Sequence, residues 1–223
     1  MSNFNISLHN FTKYFREVSV VVIGVAITLS VSYWIGINNE KRDMALYLNA
    51  VKMELEENYK YLEEATERFR PTHAYSEYLS THDKKDLERD SIMAYSNVWH
   101  NAFSITFKKN AFEMFKSSGS MRLEKDKNLL LSIWNAYKEL SDLEQQTEFF
   151  TNEKWAEIKK EIFTFLDMIE TQGDIGLYKM IENTNIVPMY NFHTIGVDRG
   201  TMQKYEDALE STKETLEKLE KVL

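Results

Sequence analysis

The sequence predicts an all-α protein in which an N-terminal transmembrane helix continues into a membrane-anchored antiparallel helical bundle. Three observations lead there. An uncharged apolar run extends from Val18 to Ile37. The 223 residues include only 7 Gly and 2 Pro, too little punctuation for an all-β fold, which needs a turn every ~8–12 residues. Beyond the run, apolar residues recur at three- and four-residue steps over long stretches, the period of amphipathic helices. A hydrophobic fraction of 43% leaves material for a core outside the run. The expected organisation is a short N-terminal segment (1–17), a transmembrane helix (18–37) and a helical bundle domain (38–223).

The run "VSVVVIGVAITLSVSYWIGI" spans roughly 30 Å as a helix, the thickness of a hydrocarbon core. A signal-peptide apolar region is shorter, about 7–15 residues, and closes on a small-x-small cleavage site. Here the run closes on Tyr33-Trp34-Ile35, bulky where a peptidase needs small residues. Tyr14 and Phe15 at one end, with Tyr33 and Trp34 at the other, form the aromatic belts expected at membrane interfaces. Gly24, Thr28, Ser32 and Gly36 recur at every fourth position. Small residues so spaced let two membrane helices approach closely, which marks a helix-association face. Its partner is an identical helix or a different protein. Lys13 and Arg16 precede the span while Lys41, Arg42 and Lys52 follow it, so flanking charge is close to a tie on orientation.

The span flows into a second stretch with no Gly or Pro between Ile37 and Pro71. Leu48, Val51, Leu55, Asn58, Leu62, Ala65 and Phe69 make a coiled-coil-like apolar seam interrupted once, by Asn58. Glu54, Glu56, Glu57, Lys60, Glu63, Glu64, Glu67 and Arg68 read as its solvated face. Arg70-Pro71-Thr72 reads as the helix end, since proline lacks the N–H that continues the ladder. Ser80 to Asp90 reads as a connection or the solvated start of another element. Tyr95, Trp99, Phe103, Phe107, Phe112 and Phe115 have core spacing, and Gly119 reads as a helix C-cap.

A further helix is expected from about Asp126 to about Ile169. Leu129, Ile133, Ala136, Leu140 and Leu143, then Trp155, Ile158, Ile162, Phe165 and Ile169, mark its apolar stripe. The rhythm blurs from Gln145 to Asn152, where a kink or turn is expected. Thr171 to Gly200 holds four of the seven glycines and reads as the main irregular connection. The last helix carries Met202, Tyr205, Leu209, Thr212, Leu216, Leu219 and Leu223.

No chemistry-bearing motif emerges. None of His9, His73, His82, His100 and His193 belongs to a Glu-x-x-His or His-Glu-x-x-His pattern, so di-iron and zinc-hydrolase signatures are missing. His73 and His82 are within reach across a turn but read as solvated loop residues, and His100 reads as a core histidine. Gly-x-Ser-x-Gly and phosphate-binding glycine loops are absent too. The chain has no Cys, hence no disulfide or thiolate site. A net charge of −8 argues against nucleic acid, which requires a dense basic face. The expectation is a non-enzymatic protein with no cofactor and no metal site.

"REVSVVVIGVAITLSVSYWIGINNEKRD", "ALYLNAVKMELEENYKYLEE" and "AFEMFKSSGSMRLEKDKNLLLSIWNAYKEL" together resemble an uncharacterised family of single-pass membrane proteins common in Bacteroidota. The resemblance covers roughly half of the chain. It implies a membrane-anchored helical domain outside the cytoplasm, with the N-terminus cytoplasmic and the bulk of the chain periplasmic at the cell inner membrane. It implies no catalytic residues. Two functions of different class follow as expectations. One is an accessory or scaffold subunit of a membrane protein complex, with membrane lipid, other subunits or a second copy as partners. The alternative is a membrane-anchored helical sensor that binds a ligand; it is the weaker expectation, because only a short segment precedes the span to report to.

Overall fold

The computed structural model describes residues 8–82, 104–183 and 199–223, and among these there is no strand. Helix α1 runs from Leu8 to Thr81, 74 residues, or about 110 Å of helix. Its first half stands clear of the rest of the chain. From Met44 onward one face packs: Leu48, Val51, Leu55, Leu62 and Ala65 are buried and Phe69 packs against them. The expected seam is therefore the core face of α1, and the apolar run joins it without a break.

Residues 104–109 then descend along α1 in non-helical conformation and lead into α2 (Asn110–Ser117). Phe107 meets Tyr61 edge-on with centroids 5.8 Å apart, and Phe115 stacks on Tyr47 at 6.1 Å. Residue numbers falling on α1 as they rise on this segment define an antiparallel course. Gly119 follows α2 at φ 73, a left-handed conformation that glycine adopts without a Cβ clash. A 3-10 turn, Ser120–Leu123, reverses the chain.

Helix α3 (Lys127–Thr164) starts where Asp126 caps it, its Oδ1 accepting the N–H groups of Asn128 (2.9 Å) and Leu129 (3.1 Å). Leu129, Ile133, Ala136, Leu140 and Leu143 are all buried. The last helix of the bundle, α6 (Arg199–Val222), runs antiparallel to both α1 and α3. Lys52 pairs with Glu220 while Phe69 stacks on Tyr205; Lys218 reaches Ser132 while Gln146 reaches Thr201. Between α3 and α6 lie α4 (Leu166–Gln172) and α5 (Asp174–Asn183).

The structure corrects several sequence expectations. Pro71 does not end α1, which continues ten residues to Thr81. Pro71 lies on the exposed side, where water reaches the carbonyl that loses its donor. Thr72 beyond it is buried at 6% exposure, so packing holds the turn that the ladder alone does not. No turn interrupts Gln145–Asn152, since α3 is continuous there. The rhythm blurs where Thr147 is buried and Glu148 and Phe149, which follow it, are exposed. The break comes instead at Phe165 (φ −109, ψ 10).

Thr171 to Asn183 is mostly helical rather than irregular. Its glycines serve a hinge and a close approach. Gly173 takes φ 53, and a Cβ on Gly176 would meet the Met168 carbonyl oxygen at 2.2 Å. On α6 the register is shared: Ala208, Thr212 and Thr215 are buried with Met202, Tyr205 and Leu219, whereas Leu209 and Leu216 are half-buried and Leu223 is exposed. A helix gripped on two sides buries small residues where the backbones come closest. Tyr95, Trp99 and Phe103 lie outside the described residues, as do His100 and His193.

Glu54 departs furthest from expectation. It is buried, not on the solvated face, and its carboxylate accepts the N–H groups of Ala111 (2.8 Å) and Phe112 (3.3 Å) and the Tyr137 hydroxyl (2.6 Å). A carboxylate from α1 thus satisfies the free N–H groups at the start of α2 and meets the positive end of its dipole. One turn on, buried Asn58 donates from Nδ2 to the Lys108 carbonyl (2.8 Å) and accepts the Lys108 N–H at Oδ1 (2.9 Å). Glu57 pairs with Lys108, and Glu144 with Lys109. This polar ladder holds residues 108–112 against α1.

Two substitutions separate paired from unpaired polar groups in the core. Asn58→Ala strands both backbone groups of Lys108 and should cost about 2–4 kcal/mol in urea unfolding of the bundle. The Tyr205 hydroxyl is buried without a partner among the described residues, so Tyr205→Phe should lie within about 0.5 kcal/mol of the parent or be more stable. Burial holds the Tyr137 and Tyr205 hydroxyls above the ordinary tyrosine range. The unfolded chain therefore ionises first, so their contribution is intact below about pH 10 and falls above it. Tyr205→Phe should flatten that alkaline loss.

Candidate functional site

The part of α1 that precedes the bundle is where the sequence-based candidates fall. None of its apolar window is buried by the rest of the chain. Val18, Val20, Val21, Val22, Ile23 and Val25 are each more than half exposed. A soluble fold does not leave so long a stretch of β-branched and aliphatic side chains in water. By length and composition, this one helix near the N-terminus is able to cross a membrane.

Tyr14, Phe15, Tyr33 and Trp34 are all exposed, Tyr33 the most at 73%. Tyr14 and Tyr33 are separated by roughly 28 Å of helix, as are Phe15 and Trp34. That spacing puts amphipathic rings at both edges of a hydrocarbon slab. Gly24, Thr28, Ser32 and Gly36 are exposed on the same helix. A Cβ added at Gly24 or Gly36 would meet nothing within 4 Å, so none of the described residues occupies the space beside them.

Hydroxyls along the run bond inward to their own helix. Thr28 Oγ1 donates to the Gly24 carbonyl (2.9 Å), Ser30 Oγ to Ala26 (2.7 Å) and Ser19 Oγ to Phe15 (2.7 Å). Each is the i−4 bond that lets a hydroxyl sit in an apolar medium with its donor satisfied. The face around Gly24 and Thr28 is therefore small and internally saturated. It is suited to close backbone contact and unsuited to binding an ion or a polar ligand.

Histidine chemistry finds no geometry here. His73 lies near the far end of α1 and His82 just past it, nine residues apart in the chain, and they do not meet. His73 is half-buried in the helix, not in a solvated loop, and its Nδ1 has no partner among the described residues. His82 Nδ1 lies 2.9 Å from the Tyr78 carbonyl, and its ring rests against Tyr78. Among the described residues no three His, Asp or Glu side chains are grouped to hold a metal ion.

Sequence reasoning missed a second exposed apolar surface, above the run. Leu46 (62% exposed), Ala50 and Met53 (64%) line one side of α1, and Met114 (60%) of α2 stands beside them. Ala50, Met53 and Met114, with Tyr47 and Ala111, border a groove of about 340 Å³ that Glu57 and Lys108 also line. The signal was present: Leu46, Ala50 and Met53 follow four- and three-residue steps off the core seam. Comparison with family models, curated proteins and solved structures finds no match for the chain.

If the small face is an association surface, Gly24→Leu with Gly36→Leu should keep the helix apolar and long enough to insert. It should push a facing backbone away and sharply reduce crosslinking or co-purification from membranes. Ile23→Leu and Val25→Leu, bulky positions made no bulkier, should assemble like the parent. Equal assembly of the double variant and these controls would reduce the helix to a tether.

Proposed function

We propose that this protein is a non-enzymatic, single-pass inner-membrane protein that serves as a scaffold or accessory subunit of a membrane complex. On this reading Val18 to Ile37 is an uncleaved anchor, its N-terminus faces the cytoplasm, and the bundle stands in the periplasm. Membership in the uncharacterised Bacteroidota family is part of the same proposal. The observation that carries it is the unbroken passage of α1 from an all-round exposed apolar rod into the core of the bundle. An anchor joined by a flexible linker would leave its domain free to tumble. A continuous helix fixes the height and rotation of the bundle over the membrane, which is what a part that positions other parts requires. The inward-bonded face at Gly24 and Thr28 supports docking of another helix in lipid.

Carbonate washing should leave the full chain in the membrane pellet, and the fragment Asp43–Leu223, which keeps every core residue of α1, should be soluble. A reporter active only in the periplasm should work when fused after Leu223, and a cytoplasmic one should be silent. Gentle extraction should bring down at least one other membrane protein in fixed ratio. Release of the full chain by carbonate, or its purification free of any partner, would overturn the proposal.

A further inference from the structure

We infer that the exposed apolar face of α1 just above the membrane, Leu46, Ala50 and Met53 with Met114 beside it, is the interface for a second copy of this chain, paired in parallel about a two-fold axis. The inference rests on the anchored reading above, since an anchor is what brings two copies side by side in one orientation.

The first argument is registry. Steps of three, four and seven residues carry one helical face from Gly24, Thr28 and Ser32 through Ile35 and Asn39 to Leu46, Ala50 and Met53. Because α1 has no break between them, whatever lies against the small face within lipid is led along the same side of the helix above it. The core seam of Leu48, Val51 and Leu55 points elsewhere and is filled by the chain's own bundle.

The second argument is charge. Arg42 and Asp43 lie at one height on opposite flanks of this face, both exposed, and neither has an ion pair within its own chain among the described residues. In a parallel two-fold pair, residues of equal height meet, and each flank faces the opposite flank of the other copy. Arg42 of each chain then meets Asp43 of the other, twice over. A different partner needs no such pairing of both signs at one level; a self-complementary patch is what an isologous contact demands. Above Met53 the face turns to charge, and Lys60 and Glu64 of each copy would meet their own like across a two-fold axis, which brings the contact to an end.

The third argument is shape. The groove between α1 and α2 is apolar along Tyr47, Ala50, Met53 and Met114, and a Met53 side chain of the second copy fits there. Methionine is unbranched and polarisable and fills such shallow gaps well.

The absence of cysteine makes the test direct, because any introduced thiol is unique. Leu46→Cys and Met53→Cys, each in the full chain in native membranes at low expression, should crosslink copy to copy on mild oxidation. Ala45→Cys, exposed at the same height but off the face, should not. On the Met53→Cys background, Arg42→Asp should lower the crosslinked yield about fivefold, and adding Asp43→Arg should restore it. Crosslinking of Leu46→Cys and Met53→Cys no greater than that of Ala45→Cys overturns the inference, whatever else covers the face. If another subunit still co-purifies, the scaffold proposal survives that failure. If the thiols link but no other protein is ever recovered, the scaffold proposal falls and the self-contact stands.

Discussion

The continuity of α1 imposes one geometry on two very different surroundings, and the remaining elements are arranged to suit it. From Val18 to Ile37 no side of the helix carries a charge, and the backbone groups are satisfied within the helix, as a hydrocarbon medium demands. From Leu48 onward one side is buried, and α2, α3 and α6 close over it. No glycine or proline intervenes between Ile37 and the first core residues, so the helix passes from one regime to the other without a joint. The bundle's height above the apolar run is thereby set within the few turns from Ile37 to Leu48.

Closing that seam required a means of holding a non-helical strand and a short helix against α1. An eight-residue helix is not stable alone, because nucleation costs more than so few bonds return. Glu54 and Asn58 remove that difficulty. The carboxylate accepts two N–H groups at the start of α2, and the amide satisfies both backbone groups of Lys108. Phe112 then stacks flat on Tyr137 at 4.2 Å, whose hydroxyl returns to Glu54. Apolar packing and hydrogen bonding so define the same position for α2, which is how a short element acquires a single location.

Periodicity made the seam of α1 and the stripe of α3 legible in the sequence, because each is a local pattern on one helix packed on one side. The exposed apolar run was legible for the same reason: a pattern along a single helix needs no knowledge of its neighbours. Glu54 was not, since what turns it inward is a set of donors far along the chain, and a glutamate beside Glu56 and Glu57 resembles its solvated neighbours. Pro71 misled because its local cost is real and was outweighed by packing at Thr72. On α6 Thr212 is buried as its spacing indicated, but a helix held between two others also buries Ala208 and Thr215, and residue size on its own favours Leu209 and Leu216. The face at Leu46 and Met53 went unread because the stronger seam drew the periodicity.

The claim on which the account turns is that the apolar run and the bundle are one rigid body. Spin labels on Tyr33→Cys and Glu63→Cys, in full-length protein reconstituted in lipid discs and diluted with unlabelled chain, measure it by pulsed dipolar spectroscopy. An unbroken helix predicts a single narrow distance near ~45 Å. A broad distribution reaching to much shorter distances would show a joint between Ile37 and Leu48 and contradict the account.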